Sequence, residues 1–96
     1  MKNKVYCERY ADRLIRGDRG KALEELADCF INEYNSEILR RHVRTPEQQR
    51  VLLADINRKG NELTEMIRAR TGVRIFKPDW FMEMYKMIVE VRANEQ

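Results

Sequence analysis

Residues able to do acid–base or metal chemistry are few in this sequence and poorly grouped. The one histidine, His42, lies within Arg40-Arg41-His42-Val43-Arg44, where neighbouring positive charge favours its neutral form. Three carboxylate pairs stand at helical spacing: Glu24 with Asp28, Glu33 with Glu37, and Glu62 with Glu65. No histidine accompanies them, and bases alternate with them, so a solvated helix face explains them. Phosphate loops, dinucleotide fingerprints and nucleophile elbows are absent. We therefore predict a non-enzymatic protein with no catalytic residues, metal site or cofactor.

The two cysteines predict the compartment rather than chemistry. Cys7 and Cys29 are too few for a disulfide framework and too far apart for a metal knuckle. We expect reduced thiols on apolar helix faces of a cytoplasmic protein, although a bridge between the first two predicted helices is geometrically open. No apolar run approaches the roughly 20 residues needed to span a bilayer, and no signal peptide opens the chain. No membrane partner is expected.

Positive charge is concentrated in the middle of the chain. The net charge is +3 over 96 residues, but the segment from Arg40 to Lys77 holds ten Lys or Arg against four Asp or Glu, a net charge of +6. The remainder therefore carries −3. This separation favours an acidic partner such as nucleic acid, or an oppositely charged copy of the chain.

One face of a predicted helix within this segment carries arginine and asparagine. At about 100° per residue, Arg50, Asn57, Asn61 and Arg68 share a narrow sector without acids. Arginine and asparagine read guanine and adenine edges in duplex DNA, whereas the alternative is an ordinary solvated face. No aromatic residue lies there, so a stacking platform for single strands is not expected. The predicted nucleic-acid-binding residues are Arg40, Arg41, Arg44, Arg50, Asn57, Asn61 and Arg68.

The same helix resembles a segment of plasmid mobilisation proteins, the accessory proteins of relaxosomes. Their pattern is Ile-Asn-Arg-Ile-Gly-Asn-Asn-Leu-Asn-Gln-Ile-Ala-Arg, and residues 56–68 share seven of its positions: Ile56, Asn57, Arg58, Gly60, Asn61, Leu63 and Arg68. The resemblance implies an accessory protein of a mobile element that acts with a relaxase at a transfer origin. The family begins with a short strand and two helices that bind DNA as a dimer. Nothing before Arg44 predicts that strand.

Apolar periodicity and helix-end signals predict a single all-α domain over residues 1–96. Asp18 is placed to cap the second helix and Gly17 to end the first, and Thr45-Pro46-Glu47-Gln48 is a capping-box sequence. A short extended connector that docks on the bundle is expected at 73–77, with strand pairing between two copies across a dimer as the alternative. A break at Asn35-Ser36 is the alternative to one long second helix. The predicted helices are 4–16, 20–43, 46–70 and 78–93.

The last predicted helix is apolar over most of its circumference. Between Trp80 and Val91 the only polar residues are Glu83, Lys86 and Glu90, whereas a bundle helix normally buries one stripe. Three short helices rarely enclose a fourth, so we predict a homodimer through this helix, or a protein partner on the same surface. The predicted interface residues are Trp80, Phe81, Met84, Tyr85, Met87, Ile88 and Val91.

Two functions therefore remain open at the level of sequence. The first is a small helical accessory protein that binds double-stranded DNA through residues 40–77. The second is a protein–protein interaction module or homodimer that uses the last helix without nucleic acid.

Overall fold

The described part of the chain forms four helices joined by short irregular segments. The computed structural model describes residues 3–16 and 18–94, with residues 88–94 described by their backbone alone. The helices are α1 (Asn3–Ile15), α2 (Arg19–Arg40), α3 (Pro46–Thr71) and α4 (Trp80–Asn94). No strand occurs in these ranges. The predicted all-α fold is confirmed, and α2 is one helix without a break at Asn35-Ser36.

The ends of α3 follow from its sequence. The backbone N–H of Gln48 donates to Thr45 Oγ1 (3.1 Å), and the N–H of Thr45 donates to Gln48 Oε1 (3.2 Å). This reciprocal pair is the predicted capping box, with Pro46 in the first turn where its missing N–H has no partner to lose. Gly72 ends the helix in the left-handed conformation (φ 77°), and its N–H donates to the Arg68 carbonyl (2.7 Å).

Two predicted helix ends are wrong by two or three residues, and one predicted helix cap is absent. Helix α2 ends at Arg40 rather than Val43, because His42 has a φ of 54° and turns the chain toward α3. Asp18 precedes α2 without a side-chain cap; its carboxylate instead accepts a hydrogen bond from Arg13 Nε (2.6 Å). Helix α4 begins at Trp80 because Asp79 has a φ of 61°. Gly17 lies outside the described residues.

Helices α2 and α3 form an antiparallel hairpin that the turn at 41–45 closes. Helix α1 runs antiparallel to α2, since Tyr6 lies near Phe30 (ring centroids 5.9 Å apart) and Arg13 Nη2 lies 2.6 Å from Glu25 Oε2. Helix α1 therefore packs on the half of the hairpin distant from the turn.

Helix α4 runs parallel to α2 and packs nearer the turn. The rings of Phe30 and Phe81 have centroids 5.8 Å apart, and those of Tyr34 and Tyr85 lie 4.7 Å apart. Because their backbones make no close approach in the described part of the chain, α1 and α4 are two separate attachments to one hairpin.

The core follows the inward faces of these helices. Phe30 lies at its centre, wholly buried between α1 and α4. Burying side chains of this size contributes about 1.5–3 kcal/mol each. No described helix is long and apolar enough to cross a membrane. The buried apolar residues are Cys7, Tyr10, Ala11, Leu14, Ala22, Leu26, Phe30, Tyr34, Leu52, Ile56, Leu63, Ile67 and Phe81.

Candidate interaction surfaces

Asn57 and Asn61 hold the start of α4 instead of facing solvent. Asn57 is only 7% exposed; its Oδ1 accepts from the backbone N–H of Met82 (3.1 Å), and its Nδ2 donates to Asp79 Oδ1 (2.7 Å). Asn61 Nδ2 donates to the same carboxylate oxygen (2.9 Å), and Asn61 Oδ1 accepts from the Asp79 N–H (2.8 Å). We call these three residues, Asn57, Asn61 and Asp79, the asparagine clamp. The alternative of an ordinary solvated face is therefore wrong for Asn57, whereas Asn61 is half-buried.

The asparagine clamp also places negative charge on the predicted acid-free stripe. Asp79 lies over the middle of α3, between Arg50 at one end and Arg68 toward the other. Hydrogen bonds from Asn61 and Asn57 lower the pKa of Asp79, because they stabilise the ionised carboxylate. The stripe is therefore interrupted by an ionised carboxylate and by the first turn of α4.

Of the arginines predicted to contact nucleic acid, three form ion pairs with glutamates of the same chain, and Arg44 does not. Arg40 and Arg41 both bind the Glu37 carboxylate (2.6 Å each). Arg68 Nε binds Glu65 Oε2 (2.9 Å). Each of these surface ion pairs contributes little to the stability of the fold. They nevertheless neutralise part of the positive charge that the sequence concentrates in residues 40–77. Arg44 is exposed on the turn between α2 and α3.

The shared carboxylates are firmly ionised. Hydrogen bonds from Arg40 and then Arg41 hold the pKa of Glu37 at about 2. Asp55 binds Arg58 (2.8 Å) and Arg41 (3.0 Å), and the hydrogen bond from Arg58 is the main cause of its lowered pKa. These acids connect the end of α2 to the first half of α3, so the basic segment is partly an internal ion-pair network.

Two arginines at the turn end of the hairpin stand outside this network. Arg44 and Arg50 are exposed, and neither makes an ion pair with any residue of the described ranges. Of the predicted nucleic-acid contacts, these two are the most available.

The predicted interface on α4 is largely an interior surface. Phe81 is fully buried, and Trp80, Met84 and Tyr85 are partly buried against the chain's own core. The expectation that these four residues need a second protein to cover them is wrong. Met87, at 66% exposure, is the exception. The side chains of Ile88 and Val91 lie outside the described residues.

The connector between α3 and α4 is what completes this enclosure. Phe76 stacks on the Trp80 ring (centroids 4.2 Å apart, planes at 16°). Trp80 Nε1 donates to the Gly60 carbonyl (3.3 Å), and a Cβ at Gly60 would lie 3.4 Å from that nitrogen. Gly60 therefore permits the close approach of the indole. Within the predicted connector at 73–77, Ile75 and Phe76 pack against the core, while Val73, Arg74 and Lys77 are exposed.

An apolar groove, which the sequence did not reveal, lies at the turn end of the hairpin. It has a volume of about 330 Å³. Leu52 forms its buried floor, while Val51 at its rim is 68% exposed. Val51 is an apolar residue that lies off the buried stripe of α3. This position was the one feature of the sequence that could have indicated the groove. We call this site the hairpin groove; it is lined by Arg41, Val43, Glu47, Gln48, Val51 and Leu52.

Metal binding and thiol reactivity are the other chemistry that the described residues could offer. No three side chains of His, Cys, Asp or Glu there approach closely enough to hold a metal ion. Cys7 is buried, Cys29 is half-buried, and both thiols are free. Tyr10 Oη lies 3.9 Å from Cys29 Sγ. These contacts are those of core packing.

Comparison of the chain with family models, curated proteins and solved structures finds no match. The resemblance of residues 56–68 to mobilisation proteins therefore stays a prediction. Most residues that carry it have a role in this fold: Asn57 and Asn61 form the asparagine clamp, Gly60 receives Trp80, and Ile56 and Leu63 are fully buried.

Proposed function

We propose that the protein is a non-enzymatic interaction domain that binds another protein at the turn end of the α2–α3 hairpin. The hairpin groove carries this proposal, because it combines a buried Leu52 with an exposed Val51. Valine is a weak helix former, and exposed apolar surface next to a concavity is typical of binding sites. Leu39, 77% exposed in the last turn of α2, adds apolar surface at the same end. A second copy of the chain is one form that the partner can take.

Site-specific photo-crosslinking in the source cell tests this function. A photoreactive phenylalanine replaces Val51 in one variant and Lys21, exposed near the opposite end of α2, in the control. We expect discrete crosslinked products from position 51 that the control lacks. Products that are equal at both positions, or none at position 51, would contradict the proposal.

Binding of duplex DNA through the phosphate backbone is the second candidate function. It is supported by the exposure of Arg44 and Arg50, which have no ion-pair partner in the described part of the chain. Because Asn57 and Asn61 are engaged in the asparagine clamp, this candidate implies binding without base reading. A role in plasmid mobilisation, which the resemblance implies, belongs to this candidate.

Mobility shift with a random duplex separates the two candidates. Affinity for DNA falls steeply with salt when arginines displace counterions. The second candidate predicts such a fall in the wild type, and a loss of about two salt-slope units in the Arg44→Ala/Arg50→Ala variant. Arg19→Ala/Lys21→Ala, exposed at the far end of α2, is the matched control. A wild type that does not shift the duplex at low salt eliminates this candidate.

The proposal also includes a cytoplasmic location. Its support is that Cys7 and Cys29 are both free thiols, which persist in reducing compartments. Alkylation of both thiols in cells lysed directly into denaturant, without added reductant, tests it, and a disulfide between the two cysteines would contradict it.

A further inference from the structure

Helices α1 and α3 end side by side, at the end of the bundle opposite the turn of the α2–α3 hairpin. Both run antiparallel to α2 and therefore parallel to each other. Asn3 Nδ2, at the start of α1, donates to the Lys59 carbonyl of α3 (2.9 Å). Ile15 follows Asn3 by as many residues as Thr71 follows Lys59, so the two helix ends are level. Helix α2 begins at this same end, with Arg19.

Unpaired bases and exposed apolar side chains are concentrated at this end of the bundle, which we call the basic tip. Its four bases are exposed, and none of them makes an ion pair with a described residue. The two apolar side chains beside them, Ile15 (47%) and Val73 (45%), are also exposed. The basic tip consists of Ile15, Arg16, Arg19, Lys21, Arg70 and Val73.

Helical spacing places two of these bases at the open end of the core. Arg70 follows the buried Ile67 by three residues and the buried Leu63 by seven, so it continues their face of α3. Arg19 likewise precedes the buried Ala22 of α2 by three residues. Both arginines therefore continue a buried face past its last buried residue, where no helix of the described chain covers them.

Acids offset little of the positive charge of the basic tip. Residues 15–23 and 67–74 hold six Lys or Arg against one acid, Asp18. The Asp18 carboxylate already accepts a hydrogen bond from an arginine of α1 (2.6 Å). The next acids along α1 and α2, Asp12 and Glu24, lie about one turn further from the end. The basic tip is therefore positively charged and lacks internal partners for its bases.

We propose that the basic tip binds the surface of a bilayer that contains anionic lipids. Clustered Lys and Arg side chains bind the phosphate headgroups of such lipids. Apolar side chains beside them enter the boundary between the headgroups and the acyl chains. This peripheral contact replaces the expectation of no membrane partner, which considered only membrane-spanning segments. It goes beyond the proposed function, because the basic tip and the hairpin groove lie at opposite ends of the hairpin.

The two apolar residues favour a bilayer over a nucleic acid. A duplex presents phosphates and sugars to a protein surface, and these gain nothing from Ile15 and Val73. A bilayer offers anionic headgroups with an apolar layer directly beneath them. The bases and the apolar side chains of the basic tip therefore each have a counterpart in the bilayer.

Vesicle flotation with the full chain tests the inference. One set of vesicles contains phosphatidylcholine alone, and the other contains phosphatidylcholine mixed with phosphatidylglycerol. We expect the mixed vesicles to bind the protein about tenfold or more tightly than pure phosphatidylcholine, and binding to weaken as salt rises, because salt screens surface charge. Absence of binding to the mixed vesicles at low salt would overturn the inference.

Two charge-reversal variants locate the contact. Arg19→Glu/Arg70→Glu should weaken binding to the mixed vesicles by about tenfold or more. Arg44→Glu/Arg50→Glu changes the net charge equally, at two exposed arginines of the turn end, and should leave most of the binding. Circular dichroism checks that both variants fold. Equal losses in the two variants would show attraction to net charge alone and would overturn the inference.

A second pair of variants tests the apolar part of the contact. Ile15→Ser/Val73→Ser should weaken binding to the mixed vesicles by about fivefold. Leu39→Ser/Val51→Ser is the control, because both residues are more exposed but lie at the turn end; it should bind like the wild type. Binding unchanged by Ile15→Ser/Val73→Ser would overturn the inference, because these residues are what favour a bilayer.

A nucleic-acid site is the main competing outcome, and random duplex DNA identifies it. Duplex binding that depends on Arg19 and Arg70, together with vesicle binding that does not depend on Ile15 and Val73, would overturn the inference in favour of DNA. These measurements leave the crosslinks from position 51 untouched, so the failure of this inference and the failure of the proposed function are distinguishable.

Discussion

At the scale of single residues, Asn57 provides the hydrogen-bond acceptor that a backbone N–H in the first turn of α4 needs. The first N–H groups of a helix have no partner within it, and the residue before the helix usually supplies one. Asp79 occupies that position, but its carboxylate is turned toward α3. Asn57 therefore accepts from the Met82 N–H in its place. The cap of α4 is contributed by another helix, and this fixes where α4 docks.

Substitution of Asn57 should accordingly weaken the docking of α4. We expect Asn57→Ala to lower the free energy of unfolding by about 1–2 kcal/mol, because it removes the cap and leaves the Met82 N–H without its partner. Urea denaturation followed by circular dichroism measures the loss. Asn32→Ala, exposed on α2, should change stability by less than about 0.5 kcal/mol. Equal effects of the two variants would contradict a structural role for Asn57.

Glu37 should give the protein a characteristic acid sensitivity. Its folded-state pKa of about 2 lies below its ordinary value of 4.5 because Arg40 and then Arg41 donate to it. A lowered folded-state pKa contributes stability that is complete above about pH 4.5 and is lost as pH falls toward 2. Glu37→Gln should therefore flatten the fall in unfolding free energy over that interval, whereas Glu24→Gln, exposed on α2, should not. Parallel curves for Glu37→Gln and the wild type would contradict this.

At the scale of elements, α4 is attached to the hairpin by aromatic rings within one chain. Phe81 lies beside Phe30 (5.8 Å), Tyr85 beside Tyr34 (4.7 Å), and Trp80 beneath Phe76 (4.2 Å). Burial also raises the pKa of Tyr34. The apolar circumference of α4 is thus shared between two helices and a connector, without a second copy.

A pair of substitutions on α4 distinguishes this arrangement from a dimer interface. Phe81→Ala should cost about 3–5 kcal/mol, because Phe81 is fully buried and its removal leaves a cavity. Met87→Ala, at a side chain 66% exposed, should cost less than about 0.5 kcal/mol. Urea denaturation, followed by the fluorescence of Trp80, should give midpoints independent of protein concentration. A midpoint that rises with concentration would instead indicate that α4 is buried between copies.

The helices were largely predictable from the sequence, and the candidate site was not. Periodicity and caps define a helix from nearby residues, as at Thr45 and Gln48, so those signals are local. The role of Asn57 depends on a partner 25 residues later, Met82, and helical spacing alone placed it among surface residues. Val51 gave one weak signal, since the groove forms only where the turn brings Arg41 and Val43 beside the first half of α3.

At the scale of the whole molecule, the hairpin carries two attachments that are separate from each other. The backbones of α1 and α4 make no close approach in the described ranges. Phe30 is the link between them, because its ring contacts Tyr6 of α1 and Phe81 of α4. In the described part of the chain, the two helices are therefore connected through the Phe30 ring rather than by direct backbone packing.

This separation predicts how substitutions combine. Ala11→Gly in α1 and Phe81→Leu in α4 should each cost about 1–2 kcal/mol, and the double variant should equal their sum within about 0.5 kcal/mol, as for sites without shared contacts. Phe30→Leu with Phe81→Leu is the control pair. Their rings are in contact (5.8 Å), so this pair should deviate from additivity by more than about 0.5 kcal/mol. Each cycle consists of the wild type, two single variants and the double variant. Urea denaturation of these four proteins gives the coupling free energy of each pair. Strong coupling between positions 11 and 81 would show that α1 and α4 act as one unit.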